Sequence, residues 1–246
     1  MLPHALKGLL FVERFYSYPV VASTSDIARA IADAPTQGMF VFQADRQTAG
    51  RGRSGALFFS NSEGGLWASI VTRPASIDCH FNHNRALSLA IAAAAEAETG
   101  RVDACSIKWP NDIYWVGRKL CGILLENHLS KPDLLVLGFG INVNLRTEDF
   151  PPELRPIATS LFIETGKRVS LTRLLRGIIE RYHANIARNG EEIHAAYTRR
   201  LYGLGRRIAI ESKEGVFDGV EPDGRLRLRQ GREVDYMLSG QVIFLP

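Results

Sequence analysis

The chain has 246 residues, of which 46% are apolar and 23% charged, and these proportions exclude a disordered, collagen-like or coiled-coil protein. The net charge is +4, and residues 1–164 carry 15 basic and 16 acidic side chains, whereas residues 165–246 carry 15 and 10. This C-terminal excess indicates a solvated surface or one that meets nucleic acid or an acidic protein. No helix-turn-helix, RNA-recognition or zinc-finger motif supports nucleic acid, and charge alone does not decide between the alternatives.

Neither a membrane span nor a signal peptide is predicted. The longest apolar run, residues 86–95, is well short of the ~20 residues that a span requires. The run at residues 8–12 is too short for the apolar segment of a signal peptide. Three scattered cysteines, Cys79, Cys105 and Cys121, lack metal-ligand spacing and favour a reducing compartment. The sequence therefore predicts a soluble cytoplasmic protein.

Up to residue 202, apolar runs typical of buried strands are interspersed with helical patterns. The clearest helix is an Ala- and Leu-rich stretch that Gly100 ends, and Ser23 is the expected N-cap of an earlier helix. Strands and helices in this arrangement predict an α+β or layered α/β domain built on one mixed sheet. The predicted strands are residues 9–15, 38–44, 65–72, 106–109, 119–127 and 134–143, and the helices are the one that follows Ser23 and residues 82–98, 171–188 and 191–201.

After residue 203 the pattern changes to short strands separated by tight turns, notably Pro222-Asp223-Gly224 and Ser239-Gly240. Five such strands in about forty residues predict a small SH3-like barrel. We therefore expect two domains, residues 1–202 and residues 203–246. The five strands are residues 206–211, 215–220, 225–229, 233–237 and 241–245.

A loop after the second predicted strand concentrates three glycines and two arginines. The glycines permit close approach of the backbone, and the guanidinium groups are rigid cationic forks. Such a loop can wrap a carboxylate or a phosphate, although an exposed basic turn has the same composition. It is neither a Walker A loop nor a dinucleotide-binding motif. The loop reads Gln47-Thr48-Ala49-Gly50-Arg51-Gly52-Arg53-Ser54-Gly55.

Two further motifs lie on predicted strands. Asn111-Asp112 offers a turn that suits a metal–phosphate group, and Lys119 begins an apolar strand where a cleft would strengthen its charge; a plain hairpin is the alternative. Gly138 and Gly140 alternate along a strand and leave one sheet face bare for a flat ligand, or for a closely crossing helix.

Other common catalytic and metal-binding patterns are missing from the sequence. Cys79, His80 and His83 lie close together in sequence but match no zinc pattern, so no protein-held metal is predicted. Neither a serine nucleophile elbow nor a paired-carboxylate glycosidase site is recognisable.

Five motifs in a fixed order carry a family resemblance: from about residue 10 to its end, the chain resembles the biotin protein ligases. The resemblance implies a class II synthetase-like catalytic domain followed by an SH3-like barrel, in agreement with the boundary at residue 202. The matching stretches are Ser23-Thr24, residues 47–53, Lys108-Trp109-Pro110-Asn111-Asp112, Arg118-Lys119-Leu120-x-Gly122-Ile123-Leu124-x-Glu126 and Gly138-x-Gly140-Ile141-Asn142.

The resemblance implies an activity in two half-reactions. Biotin and Mg-ATP give biotinyl-5′-AMP and pyrophosphate, and the ε-amine of one lysine on a biotin carboxyl carrier domain then displaces AMP. ATP and Mg²⁺ are the implied cofactors, with Mg²⁺ carried by ATP. The alternative is a lipoate or octanoate protein ligase or transferase of the same fold.

The family pattern also implies residue roles. Lys119 would bridge the biotin carboxylate and the α-phosphate, and Asp112 would assist the acceptor lysine. The implied catalytic residues are Lys119, Arg51, Arg53 and Asp112; the implied biotin-binding residues are Ser23, Thr24, Ser25, Gln47, Gly50, Arg51, Gly52, Arg53, Lys119, Gly122 and Gly138; the implied ATP-binding residues are Arg51, Arg53, Phe58, Asn111, Asp112, Lys119 and Asn142.

Three positions depart from the family pattern. Ser25 stands where asparagine is usual, Phe58 where tryptophan is usual, and Gln241 where glutamate is more usual. The family pattern begins near residue 10, so we expect no winged helix-turn-helix and no specific DNA binding. A homodimer through the main sheet is possible, and the basic C-terminal third, notably Arg225 and its neighbours, is expected to help recruit an acidic carrier domain.

Overall fold

The computed structural model describes residues 6–31, 33–74, 80–131 and 133–245, so the predictions that involve Cys79 lie outside the described residues. Its first sheet contains β1 (Val12–Val21), β2 (Met39–Gln47), β3 (Leu66–Thr72), β4 (Cys105–Lys108), β5 (Asp112–Trp115), β6 (Arg118–Asn127) and β7 (Leu135–Ile141). Its second sheet contains β8 (Arg207–Ile210), β9 (Lys213–Val220), β10 (Leu226–Gln230), β11 (Glu233–Met237) and β12 (Val242–Phe244). The helices are α1 (Thr24–Ala30), α2 (His80–Thr99), α3 (Leu161–Thr165), α4 (Leu171–Ile186) and α5 (Gly190–Thr198).

The first sheet is mixed and has the order β1-β2-β3-β7-β6-β5-β4. β1 and β2 run parallel because α1 crosses over between them, and the other neighbours are antiparallel. β3 and β7 are adjacent, and every residue of both strands is buried, as expected of central strands covered on both faces. The predicted mixed α+β architecture is thereby confirmed.

Helices cover both faces of this sheet. The Ala-rich helix α2 is buried nearly all round because it lies between the sheet and α4. Helix α4 is amphipathic, and its buried side chains recur at helical spacing, from Leu174 through Ile178 to Tyr182. Helix α1 packs on β3 and β7, where Ala28 joins an apolar cluster with Phe40 and Phe42.

Two elements differ from the sequence prediction for local reasons. β5 is a four-residue strand that was not predicted, since the turn expected at Asn111-Asp112 overlaps only its first residue, and the positive φ angles of Val116 and Gly117 form the tight turn after it. Helix α3 was not predicted; its Ser160 N-cap accepts a hydrogen bond from Ile163, and Gly166 ends it at a φ of 69°. Helix α3 has only five residues, little more than one turn, and so shows no helical period in the sequence.

The second sheet is antiparallel with the order β11-β10-β9-β8-β12, as five predicted strands implied. A fully buried arginine joins it to the rest of the molecule. The Arg85 guanidinium donates to the backbone oxygens of Pro222, at 2.7 Å, and Glu221, at 2.6 Å, while Trp109 donates to the Gly224 oxygen at 2.9 Å. The predicted turn at residues 222–224 is therefore the anchor between the two sheets.

The basic excess of the C-terminal third lies before the second sheet, since residues 165–202 carry eight basic and three acidic side chains whereas residues 203–246 carry seven of each. Arg225 pairs with Asp223 at 2.7 Å, and Arg229 pairs with Asp218 at 3.2 Å. Arg227 lies 3.2 Å from a Glu221 carboxylate oxygen. These arginines are less available to an acidic partner than the charge count suggested.

We expect Arg85→Met to lower the free energy of unfolding by about 3 kcal/mol, because it removes two charge-assisted hydrogen bonds from the buried guanidinium to backbone oxygens of the second sheet. Urea denaturation measures the change. Arg188→Met, which removes a surface pair with Glu192, is the control and should change stability by less than about 0.5 kcal/mol. Equal effects of the two substitutions would contradict the anchoring role of Arg85.

Stability should also depend on pH through His83. Its Nδ1 lies 2.6 Å from the buried Tyr182 hydroxyl, and burial lowers the pKa of His83 from 6.5 to about 4. Between these values the unfolded chain takes up a proton that the folded chain does not, so the free energy of unfolding falls as the pH falls.

We expect His83 to account for about 2 kcal/mol of the loss between pH 7 and pH 5. The measurement is urea unfolding of wild type and His83→Gln at both pH values. The free energy of unfolding should fall less on acidification in His83→Gln than in wild type. His183→Gln, which changes an exposed residue on α4, should retain the wild-type dependence. If His83→Gln retains it too, another group is responsible.

Candidate active site

One cavity of about 760 Å³ opens between the first sheet, the arginine-containing loop and the second sheet. It collects most of the site residues that the sequence predicted, although they span more than a hundred positions. The predicted residues that line it are Ser23, Thr24, Ser25, Gln47, Arg51, Gly52, Arg53, Phe58, Asn111, Asp112, Lys119, Gly122 and Gly138.

One end of the cavity is a network of hydroxyl and amide groups. Gln47 Oε1 accepts hydrogen bonds from the backbone N–H and the hydroxyl of Thr24, at 2.7 and 3.0 Å. Ser69, buried on β3, lies 2.8 Å from the Thr24 hydroxyl and 3.1 Å from that of Ser25. Because both bonds from Thr24 use the amide oxygen of Gln47, the amide nitrogen is the group that remains to donate to a ligand.

The floor of the cavity is the bare face of β6 and β7. Gly122 lies opposite Gly140, and Leu124 lies opposite Gly138. A Cβ at Gly138 would overlap the Ser25 hydroxyl, and a Cβ at Gly122 would lie 2.9 Å from the Phe58 ring. The glycines are thus required by close contact, and the aromatic side of the floor is the Phe58 ring, which lies edge-to-face with Trp67.

Charged groups gather on one wall. Lys119 Nζ forms an ion pair with Asp112 at 2.8 Å. The Lys108 side chain is half-buried beside them and donates to the Tyr114 hydroxyl at 3.3 Å. Burial lowers the pKa of Lys108, and the nearby Lys119 lowers it further, whereas Asp112 opposes the change. Burial likewise lowers the pKa of Arg53, with Asp112 again opposing. Because charges interact more strongly in a partly enclosed site than in water, the cations of this wall can hold and orient a bound anion.

The loop over the cavity is a narrow hairpin. Gly52 N–H donates to Ala56 O at 2.7 Å, and Phe58 N–H donates to Gly50 O at 2.9 Å. Both arginines of the loop line the cavity, but Arg51 also forks onto the Glu126 carboxylate at 3.0 and 2.8 Å.

Two predicted residues do not line the cavity. Gly50 lies against Ser60 and the Phe58 backbone, where a Cβ would not fit. Asn142 is buried, and its amide donates to the Thr159 oxygen at 3.0 Å. Asn111 does line the cavity, and its amide donates to the backbone oxygen of Ile123.

Sequence reasoning also missed several residues. Ser69 is a lone polar residue in an otherwise apolar stretch of β3, which is a detectable signal. Lys108 and Glu126 belong to recognised motifs but carried no predicted role. Residues Glu211, Ser239, Gly240, Gln241 and Val242 reach the cavity only because the second sheet docks there.

In the parts of the chain that the structure describes, histidine, cysteine, aspartate and glutamate side chains do not come together in threes as metal ligands would. None of the helices in these ranges combines the length and the apolar character needed to cross a bilayer.

Comparison with known proteins identifies the family. The profile of the biotin/lipoate A/B protein ligase family matches residues 18–142. A bifunctional ligase/repressor of Bacillus spizizenii is 29% identical, with coverage of 96% of this chain and 76% of that one. A biotin–[acetyl-CoA-carboxylase] ligase of Mycobacterium tuberculosis is 30% identical, with coverage of 92% and 88%.

A solved structure supports the same assignment. The biotin protein ligase from Aquifex aeolicus, in complex with biotin and ATP, superposes with a TM-score of 0.81 at 27% identity, with coverage of 95% of this chain and 99% of that one. Because the family profile covers more than half of the chain and the mycobacterial relative matches over most of its length, this chain belongs to the biotin/lipoate A/B protein ligase family, and within it to the biotin protein ligases.

Proposed function

We propose that this chain joins biotin to a lysine of a biotin carboxyl carrier domain at the expense of ATP. The observation that carries the proposal is the union of three features in one cavity: an amide and hydroxyl pocket, a glycine floor and a wall of cations. A lipoate or octanoate ligase would use the same floor and cations, but the relatives named above are biotin ligases and do not favour it.

The pocket suits a small fused ring that carries a urea group. The free amide N–H of Gln47 would donate to the urea oxygen, and the hydroxyls of Thr24 and Ser25 would complete the polar contacts. Ser23 lines the same end. The ring and its acyl chain would lie on Gly122 and Gly138, with Phe58 against the apolar side.

In the first half-reaction a biotin carboxylate oxygen attacks the α-phosphorus of Mg-ATP, and the bond to the β-phosphate breaks to release pyrophosphate. Two anions must approach each other, so fixed cations lower the barrier. Lys119 and Arg53 line the cavity and are the cations we assign to this role, and the ion pair with Asp112 orients Lys119. We place Mg²⁺ with the ATP substrate, on the Asn111–Asp112 side of the wall.

In the second half-reaction the neutral ε-amine of the carrier lysine attacks the carbonyl carbon of the mixed anhydride. The bond to AMP breaks and the amine loses a proton, for which we propose Asp112 as the acceptor because it is the one carboxylate among the predicted catalytic residues. A closed loop would exclude water, which would otherwise hydrolyse the anhydride.

We further propose that residues 1–202 and 203–246 are two domains, the first with a class II synthetase-like sheet and the second an SH3-like barrel. β1, an outer strand of the first sheet, is the edge we propose for a homodimer. The paired arginines of the second sheet support the absence of specific DNA binding. Free thiols at Cys105 and Cys121 and the use of ATP support a cytoplasmic location.

The first test is biotin-dependent exchange of pyrophosphate into ATP. We expect exchange with biotin and none with lipoate, and we expect Lys119→Ala to slow it about 100- to 1,000-fold because a cation at the reacting phosphate is lost. Lys213→Ala, which removes a surface pair with Asp235, should remain within twofold of wild type. Exchange with lipoate would contradict the proposed substrate, and the absence of exchange with either acid would contradict the proposed function.

The second test concerns the glycine floor. Gly138→Ala should raise the KM for biotin at least about tenfold, because its Cβ displaces the Ser25 hydroxyl from the pocket. The double variant Ser25→Gly/Gly138→Ala removes the overlapping hydroxyl and should recover part of the loss. Gly177→Ala on α4, where the added Cβ would contact only the ends of the Arg181 and Ala94 side chains, is the control, and an unchanged KM in Gly138→Ala would mean that biotin does not lie on this floor.

A further inference from the structure

Four charged side chains join three separate elements beside the cavity. Arg51, in the loop, forks onto Glu126 of β6 at 3.0 and 2.8 Å. The same guanidinium lies 2.7 Å from Asp26 in the first turn of α1. Arg29, in the last turn of α1, approaches Glu126 at 3.1 Å. Two cations and two anions therefore form a neutral network that connects the loop, α1 and β6.

Glu126 is the centre of this network. Its side chain is 17% exposed and contacts both arginines, whereas Asp26 is 48% exposed and contacts one. Forked pairs of arginine and carboxylate are among the strongest charged hydrogen bonds, and partial burial reduces screening by solvent. Loss of the Glu126 charge would leave Arg29 and Arg51 facing each other with Asp26 alone to compensate.

The two arginines of the loop differ in their partners. No carboxylate of the described residues lies within ion-pair distance of Arg53, which lines the cavity and senses Asp112 from further away. Both terminal nitrogens of Arg51 are already engaged by carboxylates. Arg53 is therefore available to an incoming anion, and Arg51 is committed to the protein.

Fixing Arg51 fixes the whole loop. The hairpin bonds from Gly52 to Ala56 and from Phe58 to Gly50 make the loop a single unit, so the ion pair at one end holds the Phe58 ring over Gly122 at the other. We infer that Glu126 is a positioning residue, which clasps Arg51 and thereby keeps the loop closed over the activated acid. This inference rests on the proposed function.

The substitution Glu126→Gln keeps the shape of the side chain and removes its charge. The matched control is Glu98→Gln, because Glu98 is also a little-exposed carboxylate forked onto an arginine, Arg173, at 2.8 and 2.7 Å, and is remote from the cavity. Tryptic cleavage after Arg51 and Arg53, without ligands, measures loop opening. Escape of biotinyl-AMP into the filtrate, without carrier protein, measures retention of the activated acid.

We expect Glu126→Gln to speed both cleavage in the loop and escape of the adenylate about tenfold or more, and to change the KM for ATP less than twofold. Glu98→Gln should match wild type in both measurements. Arg53→Gln should instead raise the KM for ATP. If the clasp is one interaction, Arg51→Gln/Glu126→Gln should lose the adenylate no faster than either single variant.

Wild-type rates of loop cleavage and adenylate escape in a folded Glu126→Gln would overturn the inference. If this variant does not fold, Asp26→Asn tests the same clasp through its more exposed carboxylate. We expect a smaller acceleration of both loop cleavage and adenylate escape, and wild-type rates in this variant would contradict the inference. Absence of pyrophosphate exchange in wild type would instead refute the proposed function, and the protease measurement, which contains no substrate, would still decide the clasp.

Discussion

The site depends on the pairing register of β6 and β7. Gly122 lies opposite Gly140 in this register, with Gly138 two residues along β7, so the backbone of two central strands is exposed to the cavity. Glycine inside a strand costs stability because it packs no side chain. The cost is offset by a surface onto which Ser25 and Phe58 fold so closely that methyl groups at these glycines would collide with them.

The two cations beside this floor are held in place by different parts of the structure. Lys119 is paired with Asp112 on neighbouring strands, so its position is tied to the sheet itself. Arg53 is carried by the loop and has no such partner among the residues that the structure describes, which leaves its position dependent on the loop. A site that must admit a large substrate and then exclude water can use one charge that is fixed and one that moves. The contact between Arg51 and Glu126 joins the movable loop to the rigid sheet.

The second sheet belongs to the same structure. The buried Arg85 donates to the backbone oxygens of Glu221 and Pro222, at the turn over residues 221–224, and docking at this turn brings Glu211 and residues 239–242 to the cavity. A charged group without solvent is stable only with well-placed acceptors, and two backbone oxygens of the turn supply them. Residues 203–246 carry seven basic and seven acidic side chains, and Arg225 and Arg229 are paired with acidic neighbours.

The sequence by itself determined the mixed α+β architecture, the five C-terminal strands and the members of the floor and the cation wall, because these depend on local periodicity, on glycine and on motifs that are contiguous in the chain. Helix α3 escaped prediction since five residues carry no helical period, and β5 escaped it since it begins inside the turn expected at Asn111-Asp112. Only the tertiary structure decided that Ser69 supports Thr24, that Asn142 bonds to the backbone outside the cavity, and that Arg51 and Arg53 face different partners. Local composition cannot assign different roles to two arginines that are two residues apart. Their roles differ because the fold brings Asp26 of a helix and Glu126 of a strand into direct Coulombic contact with Arg51.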